Sequence, residues 1–118
     1  MNPHDRVRLC HIADALDAAL RFAKDRRRAD LDSDDMLVFA LVHAMTIVGE
    51  AASKIAPDTR AQFPDLPWSS LVGMRNRLVH AYFDIDRDIL WNTVTQAVAP
   101  LLEQLKTTLD EHGTGSMT

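Results

Sequence analysis

The sequence predicts an all-α protein, a four- to five-helix up-and-down bundle. Apolar residues recur at three- and four-residue spacing through most of its length. No stretch alternates apolar and polar residues as a half-buried strand would. The five prolines and four glycines are too few for a disordered or fibrous chain. With 118 residues, 47% hydrophobic and 25% charged, the chain accommodates one domain around one core, over residues 1–112, followed by a small, polar, flexible tail at 113–118.

The first helix shows as a stripe of Val7, Leu9, Ile12, Leu16, Ala19, Leu20 and Ala23. It ends in a basic run, with five basic residues against one acidic between Arg21 and Arg28. Cations near a helix C-terminus meet a favourable dipole, which is the plain reading of the run, and RNA steering is the other. Ser33, Asp34 or Asp35 caps a second helix running to about Ile55. Its apolar positions are Met36, Phe39, Ala40, Ile47, Ala51 and Ile55, broadened by Leu41, Val42, Met45 and Val48. Such coverage belongs to a central helix touching several neighbours or a second subunit. Gly49 inside it costs about 1 kcal/mol in propensity, which a close helix–helix approach compensates.

Pro57, Pro64 and Pro67 interrupt a connector that Phe63 and Trp68 anchor to the bundle. A third helix opens between Asp65 and Ser69 and runs through Leu71, Val72, Met74, Leu78 and Val79 to the neighbourhood of Tyr82 or Phe83. After a turn at Asp84-Ile85-Asp86, Asp86 caps the last segment. There Ile89, Leu90, Val94, Ala97, Val98, Leu101, Leu102, Leu105 and Leu109 form a long stripe, with a kink or break expected at Pro100.

Composition narrows the function. The net charge of −4 is the wrong sign for non-specific wrapping of nucleic acid, though it leaves room for a confined basic cleft. A single cysteine, Cys10, excludes an internal disulfide and a multi-cysteine zinc site, and is read as a small core residue in a reducing, cytoplasmic setting. The start Met-Asn-Pro-His-Asp is not read as a signal peptide, and no apolar run is expected to reach the roughly 20 residues that span a bilayer. His4, His11, His43 and His80 show no metal-ligand spacing, and neither a glycine-rich phosphate loop nor a nucleophile elbow is present, so no metal and no cofactor are expected.

The densest polar constellation is Arg75-Asn76-Arg77-Leu78-Val79-His80-Ala81-Tyr82. On an ideal helix Asn76 and His80 share a face and Arg77 approaches it, whereas Arg75 lies about 140° from His80. A cleft walled by a second copy would bring two histidines and their arginines together. Histidine moves protons near neutrality, arginine presents a planar fork of donors to phosphate, and asparagine holds an imidazole tautomer. Those groups suffice for metal-independent RNA cleavage with the 2′-hydroxyl as nucleophile. An arginine–histidine spacing by itself is weak, since such pairs arise on many helices by chance and simply keep the exposed face in water.

The segment Gly73-Met74-Arg75-Asn76-Arg77-Leu78-Val79-His80-Ala81-Tyr82 closely resembles the signature of the HEPN superfamily, in particular its HepT-like branch. That branch carries arginine, four residues, histidine, one residue and tyrosine, here Arg75, His80 and Tyr82, with a polar residue after the arginine, here Asn76. Ile47 to Ala52 resembles the second-helix motif, Pro67-Trp68 the lead-in, and Asp86 to Trp91 the start of the final helix, so the resemblance covers most of the chain. It implies a HEPN-like homodimer with its active cleft along the interface, acting as a metal-independent endoribonuclease toxin of a type II toxin–antitoxin pair. His80 would be the acid/base group, Arg75 the phosphate anchor and Asn76 an orienting group, with Arg77 adding to RNA binding. The implied partner is a minimal nucleotidyltransferase antitoxin that adenylylates Tyr82 or neutralises by binding. Glu50, in the glycine–glutamate pair of the second-helix motif, is expected to support the site by pairing with an arginine such as Arg75. The competing readings are a non-catalytic helical dimer that binds a nucleotidyltransferase-like partner and, with less support, a DNA-binding regulator.

Overall fold

The structure, a computed structural model, describes the backbone of residues 1–81 and 84–113 and the side chains of residues 1–78 and 84–111. The all-α expectation holds. The helices are α1 (Pro3–Ala23), α2 (Asp30–Ser33), α3 (Asp35–Ser53), α4 (Pro57–Gln62), α5 (Trp68–Val72) and α6 (Met74–Leu78), then α7 (Arg87–Asn92), a π-helical turn (Thr93–Ala97) and α8 (Val98–Gly113). Between α6 and α7 lie two short strands, β1 (Val79–Ala81) and β2 (Asp84–Ile85). The expected tail beyond Gly113 lies outside the described residues.

α1 packs lengthwise on α3 and on α8, while α5 and α6 rest on the other side of α3. The core between them holds Leu9, Ile12 and Leu16 of α1, Leu41, Met45 and Val48 of α3, and Leu71, Met74, Leu78, Leu90 and Leu105. Asp34 caps α3, its carboxylate accepting from the Leu37 amide at 3.1 Å. The inward side of α3 is Leu37, Val38, Leu41, Ala44, Met45, Val48 and Ala52. Met36 and Phe39 were expected in the buried stripe, yet they are 82% and 64% exposed. The reason is that apolar residues run nearly all the way round this helix, so period alone cannot select the face that α1 and α5 cover. By length and composition α3, with mean hydropathy 1.7 over a window of its 19 residues, is apolar enough to cross a bilayer, contrary to the sequence reading. In this fold it is a central helix with its inner face packed.

Three of the five basic residues around the end of α1 are matched by carboxylates, while Lys24 and Arg27 make no ion pair among the described residues. Arg21 pairs with Asp17 at 3.0 Å, Arg26 with Asp34 at 2.7 Å and Asp30 at 3.3 Å, and Arg28 with Asp88 at 2.7 Å and Asp32 at 3.0 Å. Hydrogen bonding from Arg26 and the Leu37 amide holds the Asp34 carboxyl below its ordinary value. Asp25 takes φ 60°, a left-handed position where aspartate is tolerated, and turns the chain out of α1.

Two expected features move. The final rod does not break at Pro100, which sits inside α8. It widens upstream instead, where the Val98 amide donates to the Thr93 carbonyl five residues back. Pro100 has no amide to close an α-helical bond to Gln96, and the wider turn redistributes the neighbouring carbonyls. The third helix is divided at Gly73 and ends at Leu78, short of Tyr82 or Phe83. The Leu78 carbonyl accepts from the Asp86 amide at 2.9 Å, and the chain crosses as an antiparallel pair with Val79 opposite Ile85 and Ala81 opposite Asp84. Asp86 then caps α7 as expected, accepting from the Ile89 amide at 2.9 Å.

One buried carboxylate joins the two ends of the α1–α3 pair. Asn2 caps α1, and Asp5, fully buried, accepts from Asn2 Nδ2 (3.0 Å), Arg8 Nη1 (3.0 Å), the Ala56 amide (3.3 Å) and Thr59 Oγ1 (2.5 Å). Burial alone would raise its pKa, but those hydrogen bonds outweigh it and hold the group below the ordinary value of 3.8. Because the folded pKa is depressed, the stabilisation is complete above the unfolded carboxylate range and disappears as the pH falls through the lower folded value. Asp5→Ala is therefore expected to cost about 2 kcal/mol or more in denaturant unfolding at pH 7, by leaving buried donors unpaired. The penalty shrinks as the pH is lowered below about 4. An unchanged denaturation midpoint at pH 7 contradicts this role for Asp5.

Candidate active site

Arg75 and Asn76 stand in the first turn of α6, and what brings them against α3 is Gly49. A Cβ built at Gly49 would lie 3.1 Å from the Val72 carbonyl oxygen, 3.7 Å from that of Leu71 and 3.8 Å from the Arg75 amide nitrogen. Those are backbone atoms, so a side chain at position 49 must push α5 and α6 away from α3. The close approach expected from the sequence is thus real, and it is the seat of the site.

Beside this contact a cavity of about 220 Å³ is lined by Thr46, Gly49, Glu50 and Ser53 of α3 and by Val72, Arg75 and Asn76. Arg75 and Asn76 are exposed, and among the described residues Arg75 has no ion pair. Glu50 lines the same cavity without an ion pair to Arg75, so the expected partners are neighbours across the pocket rather than a bridge. Ser53 and Thr46 turn their hydroxyls to their own helix, donating to Glu50 O at 2.7 Å and Val42 O at 2.9 Å. Their presence in the cavity was missed in the sequence, although positions 46, 50 and 53 follow helical spacing along one side of α3.

Arg77 lies on the exposed side of α6, its Nη2 donating to Ser70 Oγ at 3.3 Å. It is absent from the residues that line the cavity. His80 is the middle residue of β1, so the helical i,i+4 relation between Asn76 and His80 does not hold. The hairpin, not a helix face, sets where His80 stands relative to Arg75. Its side chain and the whole of Tyr82 lie outside the described residues. Asp86, through the Leu78 carbonyl, fixes the base of that hairpin. Among the described residues no three of His, Cys, Asp and Glu gather as metal ligands.

The connector that leads into α5 is locked as the sequence suggested. Trp68 Nε1 donates to the Phe63 carbonyl at 3.0 Å, and the Arg60 guanidinium lies 5.7 Å from the centre of the Trp68 ring while donating to Ala52 O at 2.8 Å. α4 and the start of α5 are thereby held against the C-terminal end of α3, beside the cavity.

Residues 12–108 match a family model described as HepT-like, Ribonuclease HepT-like. Among curated proteins the chain is 34% identical over 98 residues to "Putative RNase MJ1380" of Methanocaldococcus jannaschii, covering 83% of this chain and 90% of that one. It is 34% identical over 90 residues to "Probable ribonuclease HepT" of Thermococcus cleftensis, 76% of this chain and 82% of that one. With "Putative RNase TTE0752" of Caldanaerobacter subterraneus it shares 29% identity over 106 residues, 90% of this chain and 95% of that one. No solved structure matches significantly.

Gly49→Val is expected to cost about 1–3 kcal/mol of stability through overpacking against the α5 backbone. In the folded fraction it displaces Arg75. A variant as stable as the wild type, with an unchanged α3–α5 spacing in its crystal structure, contradicts the assignment of Gly49 as the seat of the site.

Proposed function

The chain belongs to the ribonuclease HepT-like family, and from that premise we propose that it is a metal-independent endoribonuclease, the toxin of a type II toxin–antitoxin pair. The observation that supports this best is the cavity in which Arg75 and Asn76 of the family signature face Glu50 of the second-helix motif across the Gly49 contact.

In this reading the phosphodiester sits against Arg75, whose guanidinium offers two parallel donors and stabilises charge as it builds on the phosphoryl oxygens. A histidine, His80, removes the proton of the ribose 2′-hydroxyl. The 2′-oxygen forms a bond to phosphorus, the bond from phosphorus to the 5′-oxygen breaks, and that oxygen takes a proton from an imidazolium. The products are a 2′,3′-cyclic phosphate and a 5′-hydroxyl, and DNA, lacking the nucleophile, is spared. Asn76 orients the reacting groups and Glu50 sets the charge of the cavity wall, while Arg77, outside the cavity, adds to binding of the RNA backbone.

A second copy of the chain completes the site in this proposal. The exposed side of α3, with Met36 and Phe39 uncovered, supplies apolar surface of the kind a homodimer buries. The partner antitoxin is a minimal nucleotidyltransferase acting in the cytoplasm. Adenylyl transfer to Tyr82 would place a bulky anion two residues from His80, where it blocks the cleft and competes for Arg75.

Purified protein is expected to cut RNA with a metal chelator present. Folded His80→Ala should lose about 10²–10⁴-fold in rate and Arg75→Ala about 10²–10³-fold. Undiminished cleavage by folded His80→Ala contradicts the assignment. An unmodified wild type that binds RNA without cutting it returns the protein to the helical-adaptor reading.

A further inference from the structure

A second depression opens on the far side of Glu50, between α1 and the C-terminal half of α3. It holds about 400 Å³ and is distinct from the Arg75 cavity, with which it shares only Glu50. His4, Arg8 and His11 stand along α1 at helical spacing on one wall, and Lys54 closes the other at the end of α3. The floor is apolar, made by Ile47 and Ala51, with Val7, 52% exposed, at the edge.

Arg8 is already oriented. Its Nη1 donates to Asp5 at 3.0 Å and to the Lys54 carbonyl at 3.2 Å, while Nε and Nη2 have no acceptor among the described residues. Asp5, which balances the Arg8 charge, is wholly buried beneath it. Among the described residues Lys54 and the two imidazoles make no ion pair, and Glu50 is the one carboxylate that lines the groove. Of the arginines that follow α1, Arg26 and Arg28 are matched by aspartates. This groove therefore joins the unmatched Lys54 ammonium, the outward edge of the Arg8 guanidinium and two imidazoles to a half-buried apolar floor. A flat apolar ring on such a floor, with a phosphate at its edge, is the chemistry of a nucleotide, and imidazole and guanidinium planes also stack on bases.

We infer that the α1–α3 groove is a nucleotide subsite for the RNA strand, holding a residue that flanks the phosphate seated at Arg75. Lys54 and Arg8 take the flanking phosphate, His11 and His4 stack against or hydrogen-bond the base, and Ile47 and Ala51 form the floor. Glu50, common to both depressions, marks where the strand passes from one to the other. The inference rests on the ribonuclease reading for the identity of the strand, but it concerns binding and not cleavage.

The test uses full-length protein and a short single-stranded RNA with 2′-O-methyl groups throughout, which binds but offers no nucleophile. Its affinity is measured by fluorescence anisotropy across a salt series for the wild type, Lys54→Ala and His11→Ala, with circular dichroism as the check on folding. AMP and inorganic phosphate are titrated in parallel. Lys54→Ala is expected to weaken the oligonucleotide about 5- to 10-fold, equally across sequences, and to reduce the slope of log affinity against log salt by about 0.7. His11→Ala should weaken it about 5-fold or more, as loss of a stacking contact does. Steady-state cleavage of ordinary RNA should show a raised KM with kcat within about twofold. Folded variants that bind the oligonucleotide like the wild type overturn the inference even if the protein cleaves RNA. Tight AMP or phosphate binding that depends on Lys54, with oligonucleotide binding untouched, overturns it in favour of a free-nucleotide site. Variant-sensitive binding without any cleavage leaves the groove assigned and defeats the ribonuclease reading instead.

Discussion

The approach of the Val72 carbonyl to within 3.1 Å of the missing Gly49 Cβ is the constraint on which the site depends. It lets a short, interrupted helix lie directly on the central helix, so that Arg75 and Asn76, themselves exposed, share one open depression with Thr46, Glu50 and Ser53. Gly49 is costly to helix formation, and the cost is recovered by packing that no larger residue allows. Everything around it reinforces the same seat. Trp68 and Arg60 hold the approach to α5, Met74 and Leu78 bury the inner side of α6, and the Asp86 amide ends α6 by taking the Leu78 carbonyl.

Charge follows from the same economy of contacts. The acidic total runs against an RNA-directed function, but many of the aspartates are paired locally. Asp17, Asp30, Asp32, Asp34 and Asp88 answer Arg21, Arg26 and Arg28, and Asp5 is buried under Arg8. Arg75 and Lys54 have no such partner among the described residues, and each borders a depression that also touches Glu50. Net charge describes the whole surface, whereas a bound strand answers to the cations it meets locally.

Long elements were legible in the sequence because their apolar period repeats over many turns. Leu9, Ile12, Leu16 and Ala19 of the first stripe are buried as read, as are Leu90, Val94, Val98, Leu102 and Leu105 of the last, whereas Val7 is exposed and Ala97 and Leu101 are half-buried. α3 was legible as a central helix but not in its orientation, because Met36 and Phe39 are as apolar as Leu37 and Leu41 and only the neighbouring helices choose between them. The short elements were not legible. β1 and β2 and the early end of α6 depend on a hydrogen bond between residues eight apart, and the π-helical turn depends on how the rod accommodates Pro100. At the site, Gly49, Glu50, Arg75 and Asn76 were identified and converge, whereas Thr46 and Ser53 went unnoticed as ordinary helix-surface residues. The placement of His80 on a helix face failed because local spacing cannot anticipate a hairpin closed from Asp86.

The chemistry of the cut ends tests the account most directly. RNA incubated with purified protein and excess chelator is analysed by mass spectrometry for the groups at each new terminus. The account predicts 2′,3′-cyclic phosphate (or its opened monophosphate) on one fragment and 5′-hydroxyl on the other, with no loss of rate from the chelator. Termini bearing 3′-hydroxyl and 5′-phosphate, or cleavage abolished by the chelator, would mean that water activated by a metal is the nucleophile and that the roles given to Arg75 and His80 are wrong.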